Sequence, residues 1–150
     1  MNISDNVKYI GVFDTKTDLF EGQYKVPDGI SYNSYVIIDE KIAVLDTVDK
    51  NFGDEWLNNL SAVLGDKTPD YLVVHHMEPD HSGSLALIRQ YYPEARIVGN
   101  KKTFAMMQGY YGVGGNTDDN TLEVKNGDTL TLGRHTLAFT MIPMVHWPET

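Results

Sequence analysis

The sequence predicts an α/β layered fold, and three observations carry that prediction. Residues 71–75 (YLVVH) form a continuous apolar run of strand length, as a strand buried on both faces requires. Phe52, Trp56, Leu57, Leu60, Val63 and Leu64 recur at helical spacing. Strand and helix patterns then alternate through the middle of the chain, which puts helices against a sheet.

Taken in order, residues 7–13 read as a strand and Asp14-Thr15-Lys16 as its turn. Residues 19–24 read as a second short strand, and Pro27-Asp28-Gly29 is a strong turn signal. Residues 31–39 (SYNSYVIID) and 41–47 (KIAVLDT) are rich in aromatic and β-branched side chains, so they pair as a tight hairpin around Asp39-Glu40. The helix over 52–64 has Asn51 or Asp49 as its cap and Gly65 as its stop. A helix over 83–92 ends at Pro93, a buried strand covers 96–98, and a helix covers 101–110. Strands at 122–124, 129–132 and 136–142 follow, with an Asn126-Gly127 turn between the first two. The result is a β-meander, then strand–helix–strand–helix, then hairpins: one domain with a mixed sheet and helices on one face, without repeats or low-complexity linkers.

The 150 residues suffice for a real core, and 41% hydrophobic content suits a globular protein. A net charge of −9 opposes nucleic acid or an anionic membrane as partner and suits a cation. With no cysteine, disulfides, thiolate zinc sites and cysteine-ligated clusters are excluded, so any metal is held by nitrogen and oxygen. The opening MNISDNVKYIG lacks an apolar run after a basic region, and no stretch reaches membrane-spanning length, so a cytoplasmic location is expected.

The chemistry concentrates in His75-His76-Met77-Glu78-Pro79-Asp80-His81-Ser82-Gly83, directly after the buried strand, where ligands bind in α/β sheets. Pro79 and Gly83 predict a loop. In an extended segment His76, Glu78 and Asp80 aim to one side, and adjacent Asp80 and His81 diverge, which favours two metal positions over one. Imidazoles and carboxylates suit Zn, Fe and Mn. His146, in Ile142-Pro143-Met144-Val145-His146-Trp147-Pro148, is read as ending an apolar strand and as a further ligand. His75 points away from His76 and is assigned to the core or to orienting a ligand imidazole. Trp147 packs or walls the metal pocket. His135 falls in an exposed turn. The stretch 109–115 (GYYGVGG) is a flexible loop without dinucleotide-binding spacing, and Asp118-Asp119 is a solvated turn.

His76-x-Glu78-x-Asp80-His81 followed by His146-Trp147-Pro148-Glu149 resembles the flavodiiron proteins, in which a metallo-β-lactamase-like domain is joined to a flavodoxin-like one. The segments Tyr32-Asn33-Ser34-Tyr35, Asp46-Thr47-Val48-Asp49, Pro69-Asp70-Tyr71 and Gly99-Asn100-Lys101-Lys102-Thr103 look like further landmarks. The resemblance implies that residues 1–150 are the N-terminal portion, about the first half, of the αβ/βα sandwich of a diiron domain. It implies iron held by His76, Glu78 and His146, and a second iron held by Asp80 and, in some members, His81. Zinc is a possible substitute. It implies reduction of dioxygen to water or of nitric oxide to nitrous oxide. The electrons come from FMN on the other subunit of a head-to-tail dimer, fed by a donor such as rubredoxin or a flavin reductase. The related hydrolases usually carry His where Glu78 stands, and a metal-dependent hydrolase of the metallo-β-lactamase superfamily is the alternative.

The chain departs from that pattern in three ways. The bridging aspartate and further histidine expected beyond His146 are absent, as is the flavodoxin-like domain, so a fragment, truncation or split half with little activity alone is expected. Glu21 stands where many members carry histidine beside the metal pocket, where it would alter access or proton supply. Lys101 and Lys102 open a helix and are weak evidence of a docking patch.

Overall fold

The computed structural model describes residues 3–112 and 120–150. Its main sheet has six strands: β1 (Val7–Tyr9), β6 (Tyr35–Ile37), β7 (Ala43–Leu45), β8 (Tyr71–Val73), β9 (Arg96–Gly99) and β10 (Thr121–Glu123), adjacent in that order. The β1–β6 and β6–β7 pairs are antiparallel, whereas β7, β8, β9 and β10 run parallel. Parallel neighbours need crossovers, and the helices supply them: α1 (Gly53–Leu64), α2 (Pro79–Ser82) with α3 (Leu85–Tyr91), and α4 (Lys101–Tyr111).

Alternation along the strands sorts the core into two layers. Val36, Val44, Leu72 and Ile97 face Trp56 and Leu60 of α1, Leu85 and Ile88 of α3, and Phe104 and Met107 of α4. On the opposite face Ile37, Ala43, Val73 and Val98 pack near Leu130 and Leu137 of the hairpin β11 (Thr129–Thr131) and β12 (Thr136–Ala138). That hairpin is fastened by His135, whose backbone N–H and ring Nδ1 both bond Asp39 Oδ2. His135 is therefore half-buried and paired, not an exposed turn residue.

The expected hairpin at Asp39-Glu40 forms, with Val36 opposite Val44. The helix over 52–64 also forms, after a 3-10 turn over Lys50–Phe52 in which Asp49 Oδ1 accepts the N–H of Asn51. Several boundaries differ. The strand over 7–13 breaks at Gly11, where a Cβ would lie 2.2 Å from the Tyr32 carbonyl oxygen. Its second part, β2 (Val12–Asp14), pairs with β5 (Ile30–Tyr32), so the SYNSYVIID run is two strands split at Asn33-Ser34. Residues 19–24 turn back on themselves as the hairpin β3 (Leu19–Phe20) and β4 (Tyr24–Lys25), because Glu21 and Gly22 both have positive φ. The turn at Asp14 is held by its carboxylate, which accepts the N–H of Lys16 and Thr17. Gly109 to Tyr111 are the last turn of α4, capped by Gly112 at φ +66, rather than loop. The rest of that glycine-rich stretch, and Asp118-Asp119, lie outside the described residues.

Candidate metal centre

The parallel strands β7, β8 and β9 all deliver side chains to one end of the sheet. Asp46 follows β7, His75 and His76 follow β8, and Asn100 follows β9. The expected loop between His76 and Gly83 is in fact a single helical turn, α2, with Pro79 at its start, where a missing N–H costs nothing. Gly83 is needed for proximity, not for freedom: its φ is −61°, and a Cβ there would meet Pro79 O at 2.6 Å and Lys50 N at 2.7 Å. Thr47 fastens α2 by donating both its N–H and its hydroxyl to the His81 carbonyl. Ser82 fastens the other side through the carbonyls of Met77 and Glu78 and the hydroxyl of Tyr111. Asp80 and His81 thus leave a helix rather than an extended strand.

Three of the five expected ligands converge. His76 Nε2 lies 2.8 Å from Glu78 Oε2 and 3.1 Å from His146 Nε2, and the latter two atoms are 3.1 Å apart. Among the described residues these form the one group of three or more potential ligands within mutual reach. Perpendicular bonds of about 2.1 Å put neighbouring donor atoms roughly 3.0 Å apart, whereas tetrahedral ones put them about 3.4 Å apart. The three separations therefore match one face of an octahedron, the two-histidine, one-carboxylate arrangement of non-haem ferrous sites. The donor set fits such a metal: two imidazole nitrogens and a carboxylate oxygen turn toward one another within reach of a single cation.

His146 does not end a strand. Residues 139–150 form turns and bends between Pro143 and Pro148, and its side chain is 68% exposed. Its segment is held from outside: Asn100, which caps α4 through its Oδ1, donates its Nδ2–H to the Glu149 carbonyl, and Lys102 Nζ donates to the Pro148 carbonyl. Trp147 packs against the core and meets the His76 ring edge-on at 5.2 Å, so it both packs and walls the site.

Asp80 and His81 stand beside this group without joining it. Their nearest contact is 3.6 Å, from His81 Nε2 to Asp80 Oδ2. Asp80 Oδ1 is buried with no hydrogen-bond partner, and burial pushes its carboxyl above the usual range. His81 Nδ1 is 3.1 Å from Asp46 Oδ2; burial lowers the His81 imidazole, but the Asp46 bond outweighs it and the net shift is upward. His75 is neither core nor ligand: its side chain is 54% exposed, near the far oxygen of Asp46. Glu21 reaches the centre from the β3–β4 turn. The hydrogen bond between its carboxyl and that of Glu78 raises Glu21, and Glu78, pushed up by burial, is brought down by the bonds from Glu21 and His76.

The orienting roles of two carboxylates escaped the sequence reading, although both residues lie in segments that carry the resemblance. Glu149 is wholly buried, and its Oε1 accepts from Met77 N at 2.7 Å and His76 Nδ1 at 3.1 Å. That bond leaves His76 Nε2 free as a donor atom toward the metal. The signal of Glu149 in the sequence was its place at the end of the His146-Trp147-Pro148-Glu149 motif. Asp46 does the same for His81 and is held at φ +55 by Ser34, whose hydroxyl donates to the Asp46 carbonyl while accepting from Trp56 Nε1. Glu21, Asp46 and Met144 are the non-glycine residues with positive φ among the described ones, and all three adjoin the centre. Such conformations collect at functional sites.

Fold and site together define a metallo-β-lactamase-like αβ layer bearing a histidine–carboxylate cluster that could hold a metal ion. The profile of the ODP family beta lactamase matches residues 30–150, and the chain belongs to that family. Its relatives are flavodiiron proteins. A nitric oxide reductase of Moorella thermoacetica is 33% identical over 149 residues, 99% of this chain and 37% of the relative. The rubredoxin oxygen:oxidoreductase of Desulfovibrio gigas superposes with a TM-score of 0.92 at 31% identity, covering all of this chain and 37% of that one. The flavodiiron protein of Giardia intestinalis gives 0.87 at 33%, covering 99% and 35%. The chain spans little more than a third of the length of these relatives and matches the first half of their β-lactamase-like domain. No helix among the described residues is long and apolar enough to cross a membrane.

Proposed function

We propose that the protein carrying this chain is an oxidoreductase that reduces dioxygen to water, nitric oxide to nitrous oxide, or both, at non-haem iron. In this reading residues 1–150 are the N-terminal portion of a diiron domain. His76, Glu78 and His146 hold one iron, and Asp80 with His81 contribute to a second. The observation that carries the reading is the facial geometry of the three donor atoms, with mutual separations of 2.8, 3.1 and 3.1 Å. Relatives that carry nitric oxide reductase or oxygen oxidoreductase as their names support the substrate class.

When bound, the iron supplies one-electron chemistry, and FMN elsewhere in the intact protein supplies the electrons. The chain's own residues prepare the site. Glu149 fixes the His76 ring so that Nε2 faces inward. Glu78 adds negative charge where the hydrolases usually carry neutral histidine, which favours the higher iron oxidation state. Glu21 lines a cavity of about 270 Å³ together with Tyr32, Glu78 and Asp80, and the Glu78 carboxyl beside it raises its affinity for a proton. Burial and the Asp14 hydrogen bond push the Tyr32 hydroxyl far up, so it stays protonated as a donor. Trp147 shields His76 on one side.

The partners in this reading are O₂ or NO, a donor such as rubredoxin or a flavin reductase, and a second copy in a head-to-tail dimer, all in the cytoplasm. Metal analysis of the purified protein tests it. Iron, with a ferrous or ferric Mössbauer signature lost in His146→Ala, is the expected result. Zinc accompanied by esterase or thioesterase activity overturns it in favour of the hydrolase.

A further inference from the structure

We propose that the cation held by His76, Glu78 and His146 enters through the cavity beside Glu78, and that Asp49 steers it there without ligating it. This rests on the metal reading of the cluster and adds to it a direction of entry and a residue that sets the rate.

The cavity, of about 270 Å³, is lined by four carboxylates at different depths. Glu21 is exposed, Asp49 and Asp80 are partly buried, and Glu78, itself one of the converging donors, is buried. No lysine or arginine stands among the described residues that line it. Lys16, in the neighbouring hollow, has its ammonium group over the Phe52 ring, 5.9 Å from the centroid. A cleft lined by one sign of charge between apolar walls focuses its field and concentrates counter-ions, and here Leu19, Phe20 and Pro79 supply the walls. Asp80 Oδ1, buried and without a hydrogen-bond partner, keeps that field unquenched next to the donor atoms.

The cluster is open on a second side, since the His146 side chain is 68% exposed. The charge there is opposite. The groove along the His146 segment, bordered by Pro143 and Pro148, carries Lys101, Lys102 and Lys125 against one acidic side chain, Glu123. A cation is repelled by that groove and drawn to the cavity. Asp49 is the cavity carboxylate best placed to steer only. It stands outside the converging donors, and its Oδ1 accepts the N–H of Asn51, which fixes the charge on the wall. Asparagine keeps that acceptor, so Asp49→Asn removes the charge and spares the turn.

Stopped-flow mixing of the metal-free protein with Co(II) alone, without oxygen, reads entry through the rise of the d–d bands, and competition with a chelator reads exit. Asp49→Asn should slow entry about fivefold at low ionic strength, the effect of one charge on a divalent ion roughly 8 Å away in water. Exit should stay within about twofold, as expected of a charge outside the contact set. Entry into the unmutated protein should slow steeply between about 10 mM and about 0.3 M salt, and the gap to Asp49→Asn should close with it. That salt dependence needs no variant, so it tests the steering even where a substitution folds poorly. Glu94→Gln makes the same change of charge on an exposed residue ahead of β9, away from the strand end that bears Asn100, and should leave entry within about 1.5-fold. Unchanged entry in Asp49→Asn overturns the proposal. So does a change carried by exit, which makes Asp49 a ligand, an equal slowing in Glu94→Gln, which makes it an effect of net charge, or salt-independent entry into the unmutated protein. Absence of Co(II) uptake by the unmutated protein, or uptake by His146→Ala as tight as its own, is instead the failure of the metal reading.

Discussion

His76 and His81 lie five residues apart, and the same device presents both: a carboxylate at Nδ1 turns Nε2 toward the pocket. They differ in what Nε2 meets. That of His76 finds Glu78 at 2.8 Å and His146 at 3.1 Å, while that of His81 finds only Asp80, at 3.6 Å. His76 is braced by a fully buried Glu149, His81 by an Asp46 that also serves His75. Orienting an imidazole is thus a local matter that strand ends accomplish twice, whereas completing a ligand set takes side chains from distant segments. The chain assembles such a set once among the described residues.

The comparison breaks most decisively at the donor atoms. Glu78→Gln or His146→Ala should reduce Fe(II) affinity by about a hundredfold or more, since one of three charges or lone pairs disappears. Asp80→Asn should leave the tighter site within roughly threefold, and calorimetric titration under anaerobic conditions distinguishes the two outcomes. Equal losses would mean that the two positions act as one.

The braces come next. Glu149→Gln should weaken the metal by about 10–100-fold at the tighter site by freeing the His76 ring. Glu149→Ala should in addition cost about 1–3 kcal/mol of stability, because the buried Met77 N–H loses its acceptor; denaturant unfolding measures this. Asp46→Asn should affect only the His81 side, so its effect on the same titration should be smaller. A further step out, Ser34→Ala removes the acceptor of Trp56 Nε1. It should lower stability by about 1–3 kcal/mol with little change in metal affinity.

Acid separates the scaffold from the braces with the smallest effect on the comparison. Burial raises Asp14, but the bonds from Thr17, Lys16 and Tyr32 outweigh it and leave it below the usual carboxylate range. The hydrogen bond from His135 holds Asp39 well below it. A depressed folded pKa means stability that is complete above the unfolded value near 3.9 and lost as pH falls through the folded value. The contribution of these two carboxylates should therefore be flat from neutral pH to about pH 4 and fall below it. Asp39→Asn should remove part of that fall, as acid unfolding followed by circular dichroism will read.

The elements that were legible in the sequence are those with strong local signals. The apolar run of β8, the helical spacing of α1 and the Asp39-Glu40 turn each declare themselves in a few residues. What escaped was tertiary. Gly11 breaks a strand because another strand's carbonyl lies against it. His146 reaches the site on a bent segment anchored by Asn100, although its apolar neighbours read as a strand. The cluster 76–81 was visible because its ligands are adjacent in sequence. The orienting roles of Glu149 and Asp46 were not, because a carboxylate that orients a histidine carries no spacing rule relative to it.

The separation of 70 positions between His76 and His146 has a consequence for how the protein comes to exist. Closing so long a loop delays this contact relative to the hairpins and helices, which close on themselves. During synthesis His76 and Glu78 emerge well before their third partner, so the tight site cannot form until the segment around His146 has left the ribosome and docked on Asn100. Metal binding then stabilises the longest-range contact most, by the mass-action gain of any ligand that prefers the folded form. With iron as the proposed metal, its supply becomes part of the folding of this protein: in iron-starved cells the segment carrying His146 should be the first to open to a protease.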